Sequence, residues 1–444
     1  MIPTIDAPRV SKECTACRVC GSSNLLPLFS LGTQFVSDFV SADRVHSGVR
    51  CPIELLLCQD CTLVQQRWTA PQDFLYTRHY WYHSGQNETS RQSLRDVAAA
   101  AEQLVDLNPG DVVLDIGSND GTLLRSYTST GMNPQLVKVG VEPAVNLATE
   151  KNYQGLVLIN DFWSWNTYML AAPGIRSEGR VGSIPKAKVI TALGMFYDLD
   201  DPNAFIADVV RVLAPDGVFI AQLMCLKQML EQGDIGNLTH EHLLFFSYRS
   251  LRRLLENHGL SIFEVEENSV NGGSYRIFAR KVETWRLNSP STLAAERTED
   301  AMELAHASTH HSWFAQAVAN RDRCTNFLQA ELFRGKRYWV FGASTKGNVI
   351  LQWYLLDKDC IEAAADRSPE KVGKFTIGTG IPIRSEEDFR KANPECALVL
   401  PYAFLPEFIE RERVWLEGGG KFIVPLPKAR LVFLRNGEVV EEML

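Results

Sequence analysis

The sequence predicts an α/β protein of two or three domains, with a small cysteine-bound domain at its start. Three observations carry this. The chain has 444 residues, too many for one compact core of ordinary size. From residue 71 onward, apolar runs ending in turn residues alternate with stretches that hold helices, which is the rhythm of parallel β/α units. Six of the ten cysteines crowd between Cys14 and Cys61, which sets the first segment apart.

The segments follow in order. Residues 1–70 are turn-rich and contain "CRVC" and "CQDC", a small metal-held domain. Residues 71–281 contain "VVLDIGSNDGTLL", "KVGVEP", "KVITALGMF" and "GVFIAQL", apolar strands of one α/β domain. Residues 282–335 have few breakers and apolar residues at helical spacing, so one or two helices form a connector. Residues 336–444 resume the alternation with "RYWVFGASTKGNVI", "CALVLPYAF" and "GGGKFIVPLP", a second, smaller α/β domain.

Hydrophobic residues make up 45% and charged residues 22%, values of a folded globular chain. A net charge of -8 gives no reason to bind the nucleic-acid backbone. No apolar run reaches the roughly 18 to 20 residues of a membrane span, and the first twenty residues lack a signal-peptide core. The expected compartment is the cytoplasm, where clustered cysteines suggest metal more than disulfides. Oligomeric state does not follow from these features.

Cys17-x2-Cys20 and Cys58-x2-Cys61 form two short knuckles that suit tetrahedral Zn2+. Cys14, also two residues from Cys17, competes for a place in the set. Four thiolates leave no position for substrate, so the metal is expected to be structural. The alternative is a group of free cysteines in a reducing compartment.

In "VVLDIGSNDGTLL" a strand ends at Asp115, and Gly117 and Gly121 bracket Ser118, Asn119 and Asp120. Glycines allow a tight turn and close backbone approach to a ligand. Glu142 ends the next apolar run and has oxygens for both hydroxyls of a ribose. The G-x-G-x-x-G dinucleotide pattern is absent, and a generic turn binding another nucleotide, or nothing, is the alternative. In "NLTHEHLLFFS", His240-Glu241-His242 reads as a metal site, an acid–base site or a polar helix start. The two-residue interval differs from the four that zinc proteases use on a helix. In "YWVFGASTKGNVI", backbone N–H groups at a helix start and Lys346 suit a phosphate. A turn used only for packing is the alternative.

"LDIGSNDG" and "VGVEP" together look like the motifs of class I S-adenosylmethionine-dependent methyltransferases. With "HYWYHSGQNETS", "LGMFYDLDDP", "THEHLLFFS", "VNGGSYRIFARK", "FGASTKGN", "ADRSPEKVGKF", "GIPI" and "GGGKFIVPLP" in one order, nearly the whole chain resembles the sugar-nucleotide C-methyltransferases. The resemblance implies a central class I methyltransferase Rossmann-like domain, a small N-terminal zinc-binding domain and a C-terminal Rossmann-like domain. It implies S-adenosylmethionine at Asp115, Gly117, Ser118 and Asn119, with Glu142 holding the ribose and Asp161 near adenine. It implies that His242, Glu241 and Tyr80 are catalytic, the Tyr80 phenol lying near the sugar to stabilise the enolate or orient the ketone, and that Lys346, Asn348 and Tyr82 face a TDP- or GDP-linked ketosugar.

The implied reaction is methylation of a 4-keto-6-deoxysugar at carbon beside the ketone, most readily C-3. A base removes the acidic C–H, and the enolate carbon attacks the donor methyl. Imidazole, with an ordinary pKa of ~6.5, suits the base, and a neighbouring carboxylate could fix its tautomer. Two positions depart from the family pattern: Thr239 where some members have tyrosine, and Asp198 where they have histidine. An aspartate is ordinarily anionic and unsuited to stabilising an enolate. Gly380 stands where other members have histidine and is assigned no role. The competing functions are an O- or N-methyltransferase on another small polar metabolite, and a non-catalytic zinc-dependent binding module.

Overall fold

Val112–Ile116, buried along its whole length, lies third in a seven-stranded sheet. The computed structural model describes residues 11–77, 80–86, 88–127, 136–175, 184–282, 289–333, 335 and 337–444. Residues 1–10 of the first segment and 283–288 of the connector fall outside it. From one edge the sheet runs Val157–Ile159, Val137–Val141, Val112–Ile116, Ala187–Leu193, Leu213–Met224, Ser274–Lys281, Leu260–Asn268. The first five strands are parallel, and Ser274–Lys281 is antiparallel to both of its neighbours. Strands covered on both faces need continuous apolar runs, which "VVLDI" and "AKVITAL" supply. This is the class I methyltransferase sheet. After Val112–Ile116 the chain crosses to one side and later returns on the other, so the strand ends open into a crevice at that switch point.

A second seven-stranded sheet, Ile383–Ser385, Ile361–Asp366, Tyr338–Phe341, Cys396–Val399, Lys421–Val424, Arg430–Arg435, Glu438–Met443, forms the C-terminal domain. Its switch point lies beside Tyr338–Phe341. Helix Thr345–Trp353 starts there, with the Ser344 side chain accepting from Gly347 N. Two helices, Pro290–Ala301 and Ala307–Phe333, join the two sheets.

The N-terminal domain is a four-stranded sheet in which Leu25–Phe35, Arg50–Cys58 and Val64–Gln66 come from the first segment. The fourth strand is Leu244–Phe245. The apolar run after His242 is therefore an edge strand of the cysteine-bearing domain, and the helix starts only at Tyr248. Its start is tied on both sides. Thr62 Oγ1, beside the second knuckle, hydrogen-bonds Ser247 Oγ at 2.7 Å, and the buried Glu299 carboxylate accepts from Tyr248 N and from the Tyr275 hydroxyl. Phe245 and Phe246 are both fully buried, each stabilising this junction by about 1.5–3 kcal/mol. The first domain also reaches the third: Phe39–Val40 pairs with Phe375–Thr376, and Phe29 stacks on Phe314 of the long connector helix at 4.1 Å.

Candidate active site

The carboxyl ends of both seven-stranded sheets face one cavity of about 970 Å³. From the methyltransferase sheet come Gly117, Glu142, Gly194 and Met195, and from the C-terminal sheet Ser344, Lys346, Pro401 and Tyr402. The loop before Leu244 contributes Glu241 and His242, and the segment before helix Glu88–Leu104 contributes Tyr76, Tyr80 and Tyr82.

The donor turn fits an adenosine. Gly117 has φ +72°, and a Cβ there would sit 2.8 Å from Met195 Cγ, so the backbone is bare where a ligand approaches. Asn119, at φ +52°, donates its backbone N–H to Glu142 Oε2 at 2.8 Å. Ala144 N donates to Oε1 at 2.8 Å. Each oxygen so engaged keeps a second lone pair, enough for two ribose hydroxyls. Burial pushes the Glu142 carboxyl up to about 7, and hydrogen bonds from a diol would favour its anion.

The other expected donor contacts lie elsewhere. Asp115 turns into the sheet, where it accepts from Thr191 Oγ1 at 2.6 Å; burial pushes its carboxyl up to about 7. Ser118 Oγ pairs with the Tyr153 hydroxyl at 2.7 Å behind the turn. Asp161 is exposed and accepts its neighbour's N–H, Phe162 N at 2.7 Å. Phe162 and Trp163, not Asp161, line the cavity.

His242 is buried, and its Nδ1 lies 2.8 Å from the Asn237 carbonyl. A carbonyl only accepts, so Nδ1 carries the proton and Nε2 is the free acceptor. A backbone carbonyl fixes the tautomer, and not Glu241 as its sequence position suggested. The ring meets Tyr197 edge-on at 4.6 Å. Burial, with the nearby Lys346, pushes His242 down to about 3, so the imidazole is neutral. Burial raises Glu241 to about 7, opposed by Lys346. His240 turns the other way: its Nε2 meets the Cys51 carbonyl at 2.9 Å, so the two histidines do not converge on a common centre.

The structure also repositions the expected substrate contacts. Lys346 Nζ donates to Asn237 Oδ1 at 2.6 Å, drawn to the base loop and within electrostatic reach of Asp234, Glu241 and Asp198. Asn348 is buried away from the cavity, its amide donating to the Asp38 carbonyl at 3.0 Å, so it ties two domains together. Tyr80 lines the cavity, its backbone held by the Asn146 side chain at 2.8 and 3.0 Å; burial raises its phenol well above the usual value. Tyr82 lies at the rim, half exposed, its hydroxyl on Ser90 Oγ at 3.0 Å.

Sequence reasoning missed Tyr76, whose hydroxyl donates to the Glu241 carbonyl at 3.1 Å. It also missed Gln66, whose Nε2 donates to the carbonyls of Thr239 and of His242, the latter at 2.9 Å. The clustered tyrosines of "LYTRHYWY" pointed toward the first. No local signal pointed to the second.

In the first domain the Sγ atoms of Cys17, Cys20, Cys58 and Cys61 lie within 4.8 Å of one another. Cys17–Cys61 and Cys20–Cys58 approach to 3.5 and 3.6 Å. Four thiolates at about 2.3 Å from zinc stand about 3.8 Å apart, so the quartet fits the ion. Cys14 is outside it, its thiol donating to the Ala16 carbonyl at 3.0 Å.

With a class I sheet whose Gly117 turn opens on the cavity that His242 lines, and the family matches that follow, the chain is an S-adenosylmethionine-dependent methyltransferase. Three family descriptions match it in order: "Putative zinc binding domain" over residues 17–76, "Methyltransferase domain" over 87–265, and "C-methyltransferase C-terminal domain" over 269–427. More narrowly, the chain shares this three-part plan and is similar to C-methyltransferase NovU of Streptomyces niveus. The two are 29% identical over 418 residues, which cover 94% of this chain and 96% of NovU. Solved structures match in part. Magnesium protoporphyrin IX methyltransferase from Synechocystis PCC 6803 with bound SAM is 15% identical over 43% of this chain and 79% of its own, with a TM-score of 0.31. A SAM-dependent methyltransferase from Aquifex aeolicus is 18% identical over 44% and 94%, with a TM-score of 0.28.

Proposed function

We propose that the protein methylates carbon in a nucleotide-linked 4-keto-6-deoxysugar, at the position beside the ketone, C-3. The observation that carries this reading is the His242–Asn237 hydrogen bond, which leaves Nε2 as a neutral acceptor on a cavity-lining residue. O- and N-methylation start from a lone pair already present, whereas carbon must first be deprotonated, so a fixed buried base suits carbon.

His242 Nε2 takes the proton from C-3, and the C–H electron pair becomes the C-3=C-4 bond as charge moves to the ketone oxygen. Glu241 lines the same cavity, and its anion would favour the imidazolium so formed. S-adenosylmethionine, when bound, would supply the electrophilic methyl that the enolate carbon C-3 takes. Tyr80, protonated at neutral pH, offers its hydroxyl to the sugar, while the Tyr76 hydroxyl holds the Glu241 carbonyl. The cavity reaches the start of helix Thr345–Trp353, where Ser344 and Thr345 are suited to the nucleotide part. TDP and GDP carriers are both compatible with this surface. The thiol quartet suits a reducing cytoplasm.

Deuterium exchange tests the reading. Wild-type protein in D2O should exchange the C-3 hydrogen of a TDP- or GDP-linked 4-keto-6-deoxysugar without methyl donor, detected by mass. His242→Ala should lower that exchange at least about 100-fold with S-adenosylmethionine affinity unchanged. Exchange at the wild-type rate in the variant would remove His242 as the base.

A further inference from the structure

Asp198 sits at the end of the short helical turn Phe196–Asp198, which follows Gly194 at the carboxyl end of a central strand. The side chain lines the cavity and is buried, with 8% of its surface exposed. Its Oδ1 finds no hydrogen-bond partner among the described residues. A buried carboxyl oxygen left without a partner costs about 1–3 kcal/mol, and buried polar groups of that kind call for a ligand. The neighbouring loop is held against this turn. Leu243 N donates to the Tyr197 carbonyl at 2.9 Å, and His242 packs on the Tyr197 ring. Asp198 and the base are therefore on adjoining, mutually bonded loops that line one cavity.

We propose that the Asp198 carboxyl faces the substrate as a hydrogen-bond donor, holding the ketone oxygen of the sugar as it becomes an enolate under the action of His242. The proposal rests on the ketosugar reading above. In that role the acid's O–H points at an oxygen that gains charge as Nε2 takes the C-3 proton. The carboxyl keeps its own proton throughout, so no bond to it breaks and the proton balance is that of His242 alone.

The surroundings favour the acid form. Burial disfavours any charge, and Glu241 repels a second negative one, while Lys346 opposes both; the net direction is well above the usual carboxylate range. Tyr76 and Tyr80 lie within electrostatic reach of the same group, and neither phenol is ionised at neutral pH. An unprotonated Asp198 would repel the enolate. A protonated one in a low-dielectric cavity is a strong, fixed donor. The aspartate that looked unsuited to this position by its ordinary charge is thus suited to it by its surroundings.

Two variants test the role in the same deuterium-exchange assay with TDP- and GDP-linked 4-keto-6-deoxysugars and no methyl donor. Asp198→Ala removes the donor and should slow exchange by about 100- to 1,000-fold, the usual loss for one oxyanion donor. Asp198→Asn keeps the shape and an N–H donor and should stay within about 10-fold of wild type. Both should bind S-adenosylmethionine with wild-type affinity, which shows that the domain has folded. Wild-type exchange that persists in Asp198→Ala, or that falls equally in both variants, overturns the donor role and leaves the ketosugar reading standing. No exchange by wild-type protein on any such sugar overturns that reading, and the Asp198 role with it.

Discussion

Replacing Gln66 with leucine should loosen the base loop from behind, without touching the cavity. Gln66 is fully buried, and its Nε2 is shared by the carbonyls of Thr239 and His242. Leucine has similar volume but leaves the His242 carbonyl unpaired, at a cost of about 1–3 kcal/mol, and leaves the Thr239 carbonyl only the bond from His242 N at 3.3 Å. One compensation exists: Gln66 Oε1 has no partner among the described residues, and the substitution removes it. The two largely cancel, so the net loss is at most about 2 kcal/mol, concentrated in residues 238–243. The backbone bond from Gln66 N to the Leu243 carbonyl at 2.9 Å is unaffected, so the strand pairing stays. A reacting nitrogen displaced by about 1 Å costs on the order of 100-fold in rate. The expected result is a kcat lower by about 10- to 100-fold, unchanged affinity for S-adenosylmethionine, and faster amide hydrogen exchange confined to residues 238–243. Wild-type turnover with wild-type exchange in that loop would refute the reasoning.

Two further outcomes are expected. Gly117→Ala puts a Cβ at φ +72° against Met195 Cγ; left-handed backbone alone costs about 1–2 kcal/mol, and titration calorimetry should show S-adenosylmethionine binding weakened roughly 10-fold, whereas unchanged affinity and unchanged melting would contradict the turn's role. His240, held neutral, is pushed down to about 4 from 6.5, chiefly by burial. Its contribution to stability is complete above pH 6.5 and is lost as pH falls toward 4, about 2 kcal/mol by pH 5. His240→Asn should therefore show a smaller drop in unfolding free energy between pH 7 and 5 than wild type, and an identical drop would exclude a buried neutral imidazole.

What the sequence reveals about the site depends on whether the chemistry is local. The cysteine knuckles are legible because two-residue spacing itself brings sulfurs together, and Gly117 because a positive φ leaves few alternatives. Lys346 and Asn348 are two residues apart on a helix and so lie on different faces; one reaches the cavity and the other cannot. Asp115 illustrates a different limit. A strand-end acid can face the ligand or the sheet, and Thr191, 76 positions away, decides it. The same holds for the tautomer of His242, set by a carbonyl five residues back across a loop, and for Gln66, which meets that loop through strand pairing over more than 170 residues. The ionisation of Asp198 is set by burial, which no residue string displays.

The two-residue strand Leu244–Phe245 has a practical consequence for anyone recombining such enzymes. A chimaera joined near residue 70 would exchange three strands of a sheet and keep the fourth, presenting a foreign edge to Phe245 and Phe246. Exposed edges and apolar surface of that kind invite association between chains. The unit that can be exchanged is discontinuous: the cysteine-bearing segment together with residues 237–247. Any swap of that unit carries His242, the proposed base, along with it, so that residue travels with the cysteine-bearing domain and not with the donor-binding sheet.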